Sequence, residues 1–470
     1  MTTGGSAAAE DRDLSYALSE YVAAAHFADL DSEVIETTKL SIIDTIGVTL
    51  ASTGLTPGVD AYVNTAMARG GTPESTVIGF DGQLPAASAA WLNGAFVHGL
   101  DYDDLVRDAG YHPSTPTVPS GIALAESRPG TTGKDLLLAI AIGNDVGVRL
   151  ASAVDSTRAW FGTPVFGSFA GAATCAKLFG LDAQGVHNAL GQAYVRCAGT
   201  LEMRWSANSG IASFNGALPN ENGVLSAQLA AAGADGIENI FEGRGGLFPV
   251  YFDNAYDRSI VLDRLGEYFR GVEASFKVWP ACGGSHPAID ATLQLFATVG
   301  LKADDVEELT IATTLGTLAL CQPIEVRRAP TTSMDAKFSI PYSIAVAAVT
   351  GNVTLHDFLP ENLGREEILQ FAQKITAIDD PSLAIRKAAL PARITVKTVD
   401  GQTVEHRCDQ PKGIWPYSRL SADEVVSKFM VNASYARTPL ATEKAEAFVD
   451  KVLRLEDLAD TTNLMKELRA

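Results

Sequence analysis

Ala392-Arg393-Ile394-Thr395-Val396-Lys397-Thr398-Val399-Asp400-Gly401-Gln402-Thr403-Val404-Glu405-His406-Arg407-Cys408 is the stretch that decides the fold. Apolar and polar residues alternate on both sides of Asp400-Gly401, a dipeptide suited to a tight hairpin turn, so 392–399 and 402–408 are predicted to pair as antiparallel strands. Residues 308–314 read as a further strand. Helical patterns over 287–299 and 340–349 lie among these strands, which makes this part of the chain α+β.

Upstream the period changes. From Leu14 to roughly Arg270 the apolar spacing is helical: Val34, Ile42, Ile46 and Leu50 fall on one face behind an N-cap at Asp31 or Ser32. Ala-rich helices are predicted over 87–99, 133–154, 166–178, 183–194 and 223–232, and their small side chains suit close helix approach. After Pro416 helical spacing resumes over 421–430 and 442–455. The expected class is therefore mainly α with an α+β part: a large helical domain over 1–270, a smaller α+β domain over 271–411, and C-terminal helices over 412–470 that return to the helical domain.

Composition narrows the function classes. A chain of 470 residues with 46% hydrophobic content is long enough for more than one core. Its formal net charge of −20 argues against nucleic acid or an anionic membrane as partner, since either calls for a basic surface. The first twelve residues are polar and acidic, so no secretory leader is expected, and the richest apolar run, 136–142, is too short to span a bilayer. Five scattered cysteines without a CxxC pair fit reduced thiols in a cytoplasm.

Two segments crowd ionisable groups between Gly and Pro, as loops that hold chemistry on a rigid scaffold do. The first is Leu100-Asp101-Tyr102-Asp103-Asp104 followed by Tyr111-His112-Pro113-Ser114. The second is Lys277-Val278-Trp279-Pro280-Ala281-Cys282-Gly283-Gly284-Ser285-His286. Three carboxylates in four residues also suit a helix cap or a solvated face. As a site they repel one another and call for a cation or hydrogen-bond donors in answer. His112 precedes Pro113, whose ring restrains the histidine backbone. Cys282 and His286 find no second Cys/His pair to complete a zinc set, so no metal is expected. No acyl-transfer motif, GxGxxG turn, Walker A loop or GxSxG elbow occurs. The simpler use is acid/base chemistry, with Lys277 on a carboxylate and His286 poised near neutral pH.

Six stretches in one order give the chain a resemblance to the MmgE/PrpD family. They are Asn93-Gly94 through His98; Asp101-Tyr102-Asp103-Asp104 with His112-Pro113-Ser114; Gly167 to Asp182; Lys277…Pro280…Cys282…His286; Ala336-Lys337-Phe338-Ser339-Ile340-Pro341-Tyr342; and Pro411-Lys412-Gly413. That family includes 2-methylcitrate dehydratase, cis-aconitate decarboxylase and iminodisuccinate epimerase. The resemblance implies a helical domain with a smaller α+β domain, a homodimer, no cofactor and a small polycarboxylate substrate. It implies proton abstraction next to a carboxylate, with Asp101 and His112 in the active site and Lys277 binding a carboxylate. Such an enzyme must hold the carboxylate, place a base on the C–H bond and stabilise the enolate-like charge.

The chain departs from the family pattern at three points. Leu105 stands where decarboxylases and dehydratases have Thr, Trp160-Phe161 lacks their His, and Ala212 replaces a Lys. Arg158, Arg196 and Arg204 flank these positions, and Arg204, between Met203 and Trp205, is the best placed to hold a substrate carboxylate. Asp104, Cys282, Lys337 and Tyr342 complete the candidate substrate-binding set beside the candidate catalytic residues Asp101, His112, Lys277 and His286. Three readings follow: a polycarboxylate lyase of altered specificity, an epimerase that needs no leaving-group machinery, and a catalytically silent dimeric binding protein.

Overall fold

A computed structural model describes residues 12–155, 159–205, 210–383 and 390–469, with the side chains of Arg204 and Trp205 left out. The chain forms two compact units: Met1–Gly99, Ala109–Ala274 and Ala422–Ala470 in one, Leu100–Asp108 and Ser275–Ser421 in the other.

The first unit is helical. Its long helix Ser32–Leu55 starts at Asp31, whose carboxylate accepts the Val34 N–H at 2.9 Å, and it is buried continuously from Thr37 to Thr53. Helix Gly162–Phe179 packs against both Gly133–Ser152 and Ala217–Ala231, with glycines at the closest approaches. A Cβ placed on Gly223 would sit 2.6 Å from the Gly171 carbonyl carbon, so this crossing requires glycine. Arg149 is fully buried, and its guanidinium is consumed by Asp145 at 2.8 Å and by the carbonyls of Val261, Asp263 and Tyr268.

Helix Ser114–Glu126 is buried along its whole length although it contains Pro116 and Pro119. Pro119 cannot donate to the Thr115 carbonyl one turn earlier. The side-chain amide of Asn220 donates to it instead, at 2.9 Å, and also to the Gly216 carbonyl at 2.7 Å. Gly94 leaves room for that amide, since a Cβ there would lie 2.2 Å from Asn220 Nδ2. Asn93 beside it takes the Ile78 N–H and gives to the Thr76 carbonyl. The Asn93-Gly94 motif thus supports the helix that follows His112.

The second unit is a four-stranded mixed sheet covered by helices. Strands β1 (Val306–Thr313), β2 (Ile375–Asp379), β3 (Ala392–Thr398) and β4 (Thr403–Cys408) are ordered β2-β1-β3-β4, with β1–β2 parallel and the other pairs antiparallel. The β3–β4 hairpin turns at Asp400-Gly401, where Gly401 takes a left-handed φ of +87°. Leu309, Ile311, Ile394 and Val396 from the sheet meet Ile289, Ile340, Ile344 and Phe371 from the helices His286–Val299, Ile340–Thr350 and Glu366–Gln373. The architecture is mainly α with an α+β part, as the alternation of periods implied. No helix among the described residues is long and apolar enough to cross a membrane.

Segment Leu100–Asp108 is held in the second unit by backbone pairing far along the chain. Leu105 and Ser275 exchange N–H···O bonds of 2.9 Å in both directions, and the Tyr102 hydroxyl donates to the Val278 carbonyl at 2.9 Å.

Candidate active site

Chemistry-bearing groups gather in two sets, one within each unit. In the second unit the ladder between Leu105 and Ser275 brings Asp101 to Lys277. The ammonium of Lys277 donates to the Asp101 carboxylate at 2.5 Å and to the carbonyl of the same residue at 2.8 Å. Asp101 adopts a left-handed φ of +49°, a conformation an aspartate tolerates better than most residues. Both partners are buried, so the bond is charge-assisted and largely unscreened. Burial alone would drive the Lys277 ammonium down. The charge of Asp101, then that of Asp103, outweighs it and holds Lys277 above the ordinary lysine range. An ammonium has three donors, and among the described residues only two acceptors meet this one.

Lys337 ends the short helix Ser333–Lys337, whose N-cap Thr332 accepts the Asp335 N–H. Its carbonyl receives the Cys282 N–H at 3.0 Å, which fixes the helix end to the loop carrying Lys277. The Lys337 side chain is 4% exposed, and its ammonium has no hydrogen-bond acceptor among the described residues. Burial pulls it down to about 7, opposed by Asp101 and assisted by the Lys277 charge. His286 departs from the sequence expectation of a histidine poised near neutrality. Buried behind Trp279, which meets it edge-on at 5.2 Å, it is driven down to about 3, first by burial and then by Lys277. At neutral pH it is an uncharged imidazole, with Nε2 3.3 Å from the Ala281 carbonyl. In this set the group that titrates near neutrality is a lysine. Cys282 is half-buried on the same loop.

In the first unit, His112 and His98 meet edge to face at 4.7 Å, and Phe161 meets His98 in the same manner at 5.9 Å. Both histidines are buried. His98 caps the C-terminal end of helix Ala86–Val97, and His112 precedes Pro113, the N-cap of helix Ser114–Glu126. The His112 N–H is received by Thr163 Oγ1 at 3.3 Å. Phe161 thus stands at the histidine pair where the family pattern has a histidine. Nothing in the sequence around His98 marks its pairing with His112.

Tyr342 is fully buried and its hydroxyl donates to the Asp357 carbonyl at 2.9 Å beside Phe358, with burial pushing the phenol up to about 12. Asp104 is fully buried in the second unit. The Arg196 guanidinium reaches Ser226 Oγ at 3.3 Å. The Arg204 side chain and the whole of Arg158 lie outside the described residues. Leu105 faces Gly283, where an added Cβ would approach its Cδ2 to 2.9 Å.

Residues 16–259 match the MmgE/PrpD N-terminal domain, and residues 279–455 match the MmgE/PrpD C-terminal domain. Among curated proteins the chain is similar to a cis-aconitate decarboxylase-like protein of Aspergillus oryzae, 27% identical over 83% of this chain and 84% of that one. It is 26% identical to the cis-aconitate decarboxylase of Mus musculus over 94% of this chain and 90% of the other. It is 25% identical to the 2-methylcitrate dehydratase of Salmonella typhimurium over 74% and 76% of the two chains.

Proposed function

This chain belongs to the MmgE/PrpD family, and on that premise we propose that it is a lyase which removes a proton α to a carboxylate of a small di- or tricarboxylate. The observation that carries the proposal is the buried Asp101–Lys277 pair with a spare ammonium donor. Asp101 orients Lys277 and supplies the counter-charge that keeps it protonated. The remaining donor is the one assigned to a substrate carboxylate oxygen. That contact lowers the cost of the negative charge that develops as the α C–H bond breaks.

His112 is proposed as a second acid/base group, with His98 setting the orientation of its ring. Arg204 is proposed to hold a second substrate carboxylate, and Asp104 and Cys282 are proposed to line the substrate site. Neutral His286 is assigned to hold the loop around Lys277 through its hydrogen bond to Ala281. The reading invokes acid/base groups and cations and calls for no cofactor. A homodimer belongs to the same reading and rests on resemblance. Five unpaired cysteines favour a reducing compartment such as the cytoplasm.

One observation favours a second reading. Leu105, Phe161 and Ala212 supply no proton donor where decarboxylases and dehydratases carry polar groups, and Phe161 is packed on His98. An epimerase needs no help for a leaving group, so these losses would cost it little. Incubation with a panel of di- and tricarboxylates, followed by chiral chromatography and assays for alkene and CO₂, separates the two. A lyase gives alkene or CO₂; inversion at the α carbon with neither product makes the chain an epimerase.

A further inference from the structure

We propose that Lys337 is the base that takes the proton from the substrate's α carbon. The inference rests on the carbon-acid reading above and assigns a role that reading leaves open.

The Lys337 side chain is 4% exposed, yet no carboxylate or carbonyl accepts from its ammonium among the described residues. Low exposure without a protein acceptor makes the charged ammonium costly and favours the neutral amine. Its neighbour Lys277 is treated in the opposite way, with two oxygens of Asp101 on its nitrogen. Asp101 and Lys277 both act electrostatically on Lys337. The Cys282 N–H on its carbonyl ties it to the loop that carries Lys277 and His286.

The charged and titratable groups around the set divide by element. Segment Leu100–Asp108 offers Asp101 and Asp103, the loop before helix His286–Val299 offers Lys277 and Cys282, that helix offers His286, and the Lys337 helix itself offers Asp335. Asp101 is engaged by Lys277, and His286 is an imidazole too weakly basic to take a proton from carbon at neutral pH. Lys337 is the lysine whose amine is substantially neutral there, held so by burial and by the Lys277 charge.

The step balances without a co-reactant. Lys337 Nζ, neutral, forms an N–H bond to the α proton. The C–H electron pair moves into the adjacent carboxylate as an enediolate, whose charge faces the Lys277 ammonium. The pair then either expels the β substituent or returns to carbon as Lys337 gives the proton back. Proton transfer by a positioned group is worth about 10²–10⁴-fold in rate.

The test follows α-proton exchange in D₂O for the wild-type protein, Lys337→Gln and Lys337→Arg across pH 5.5–9, with binding followed by substrate-dependent shifts in melting temperature. The proposal expects a wild-type rate that rises with pH through about 7. Exchange should fall by about 10²-fold or more in both variants, while Lys337→Arg still shows the substrate-dependent shift. Exchange at the wild-type rate in Lys337→Gln overturns the assignment and leaves the carbon-acid reading standing. So does activity retained in Lys337→Arg with a wild-type rate that falls above pH 7, because a charge-only role needs the protonated form. Absence of exchange in the wild-type protein with every acid of the panel removes the carbon-acid reading and this inference with it.

Discussion

Lys277 holds Asp101 by two atoms of the same residue, its carboxylate at 2.5 Å and its carbonyl at 2.8 Å, in a buried setting that the left-handed backbone of Asp101 makes possible. This pair joins the two sequence segments richest in ionisable groups, although they lie far apart along the chain.

Breaking the pair from one side strands a buried charge. Lys277→Met or Asp101→Asn should each cost about 3–5 kcal/mol of stability, measured by chemical denaturation, and the double variant should recover part of the loss. The pH behaviour follows from the raised Lys277. Its stabilising contribution is complete below the unfolded lysine value and is lost only as pH climbs through the higher folded value, so the cost of Lys277→Met should be level between about pH 6 and 9. A double variant whose loss equals the sum of the two single losses would show that the two side chains do not act as a pair.

Lys337 should show the opposite pH signature. Its folded value is lowered to about 7, against about 10.4 in an unfolded chain. Between these values the unfolded state holds the extra proton, so stability rises with pH across that window and the cost of the buried charge is fully felt below about 7. Lys337→Met should therefore raise the melting temperature more at pH 6 than at pH 9. A gain of the same size at both pH values would mean that Lys337 is not depressed.

Asn220 offers a test of the scaffold under the histidine pair. Its amide replaces the N–H that Pro119 lacks, so Asn220→Ala takes that donor from the buried Thr115 carbonyl, at a cost of about 1–3 kcal/mol. In a Pro119→Ala background the alanine N–H can serve Thr115, and the cost of Asn220→Ala should shrink. Thermal melts of the four proteins measure the coupling.

These relationships also mark what was legible in the sequence. The β3–β4 hairpin could be read because alternation and Asp400-Gly401 are local signals. Helix Ser114–Glu126 could not, because Pro116 and Pro119 contradict local propensity and the remedy comes from Asn220 in another helix. Strand β2 is short, and its parallel partner β1 lies across an intervening helical stretch, so no turn chemistry announced it. In the candidate site the crowd of carboxylates was visible and called for a cation. Which cation answers depends on the Leu105–Ser275 pairing, and strand pairing at that separation leaves no trace in composition. The protonation of His286 and Lys337 was equally hidden: a sequence gives a side chain its ordinary pKa, and burial decides how far it moves.

The central claim is carbon-acid chemistry on a polycarboxylate, and proton NMR in D₂O with a panel of di- and tricarboxylates tests it most directly. The account predicts that at least one acid exchanges its α proton for deuterium, or loses that signal as alkene or CO₂ forms, and that His112→Ala slows the process by about 10²-fold or more. No exchange or turnover with any acid would contradict it, whereas an unchanged rate in His112→Ala would remove the role given to His112 and leave the carbon-acid chemistry standing.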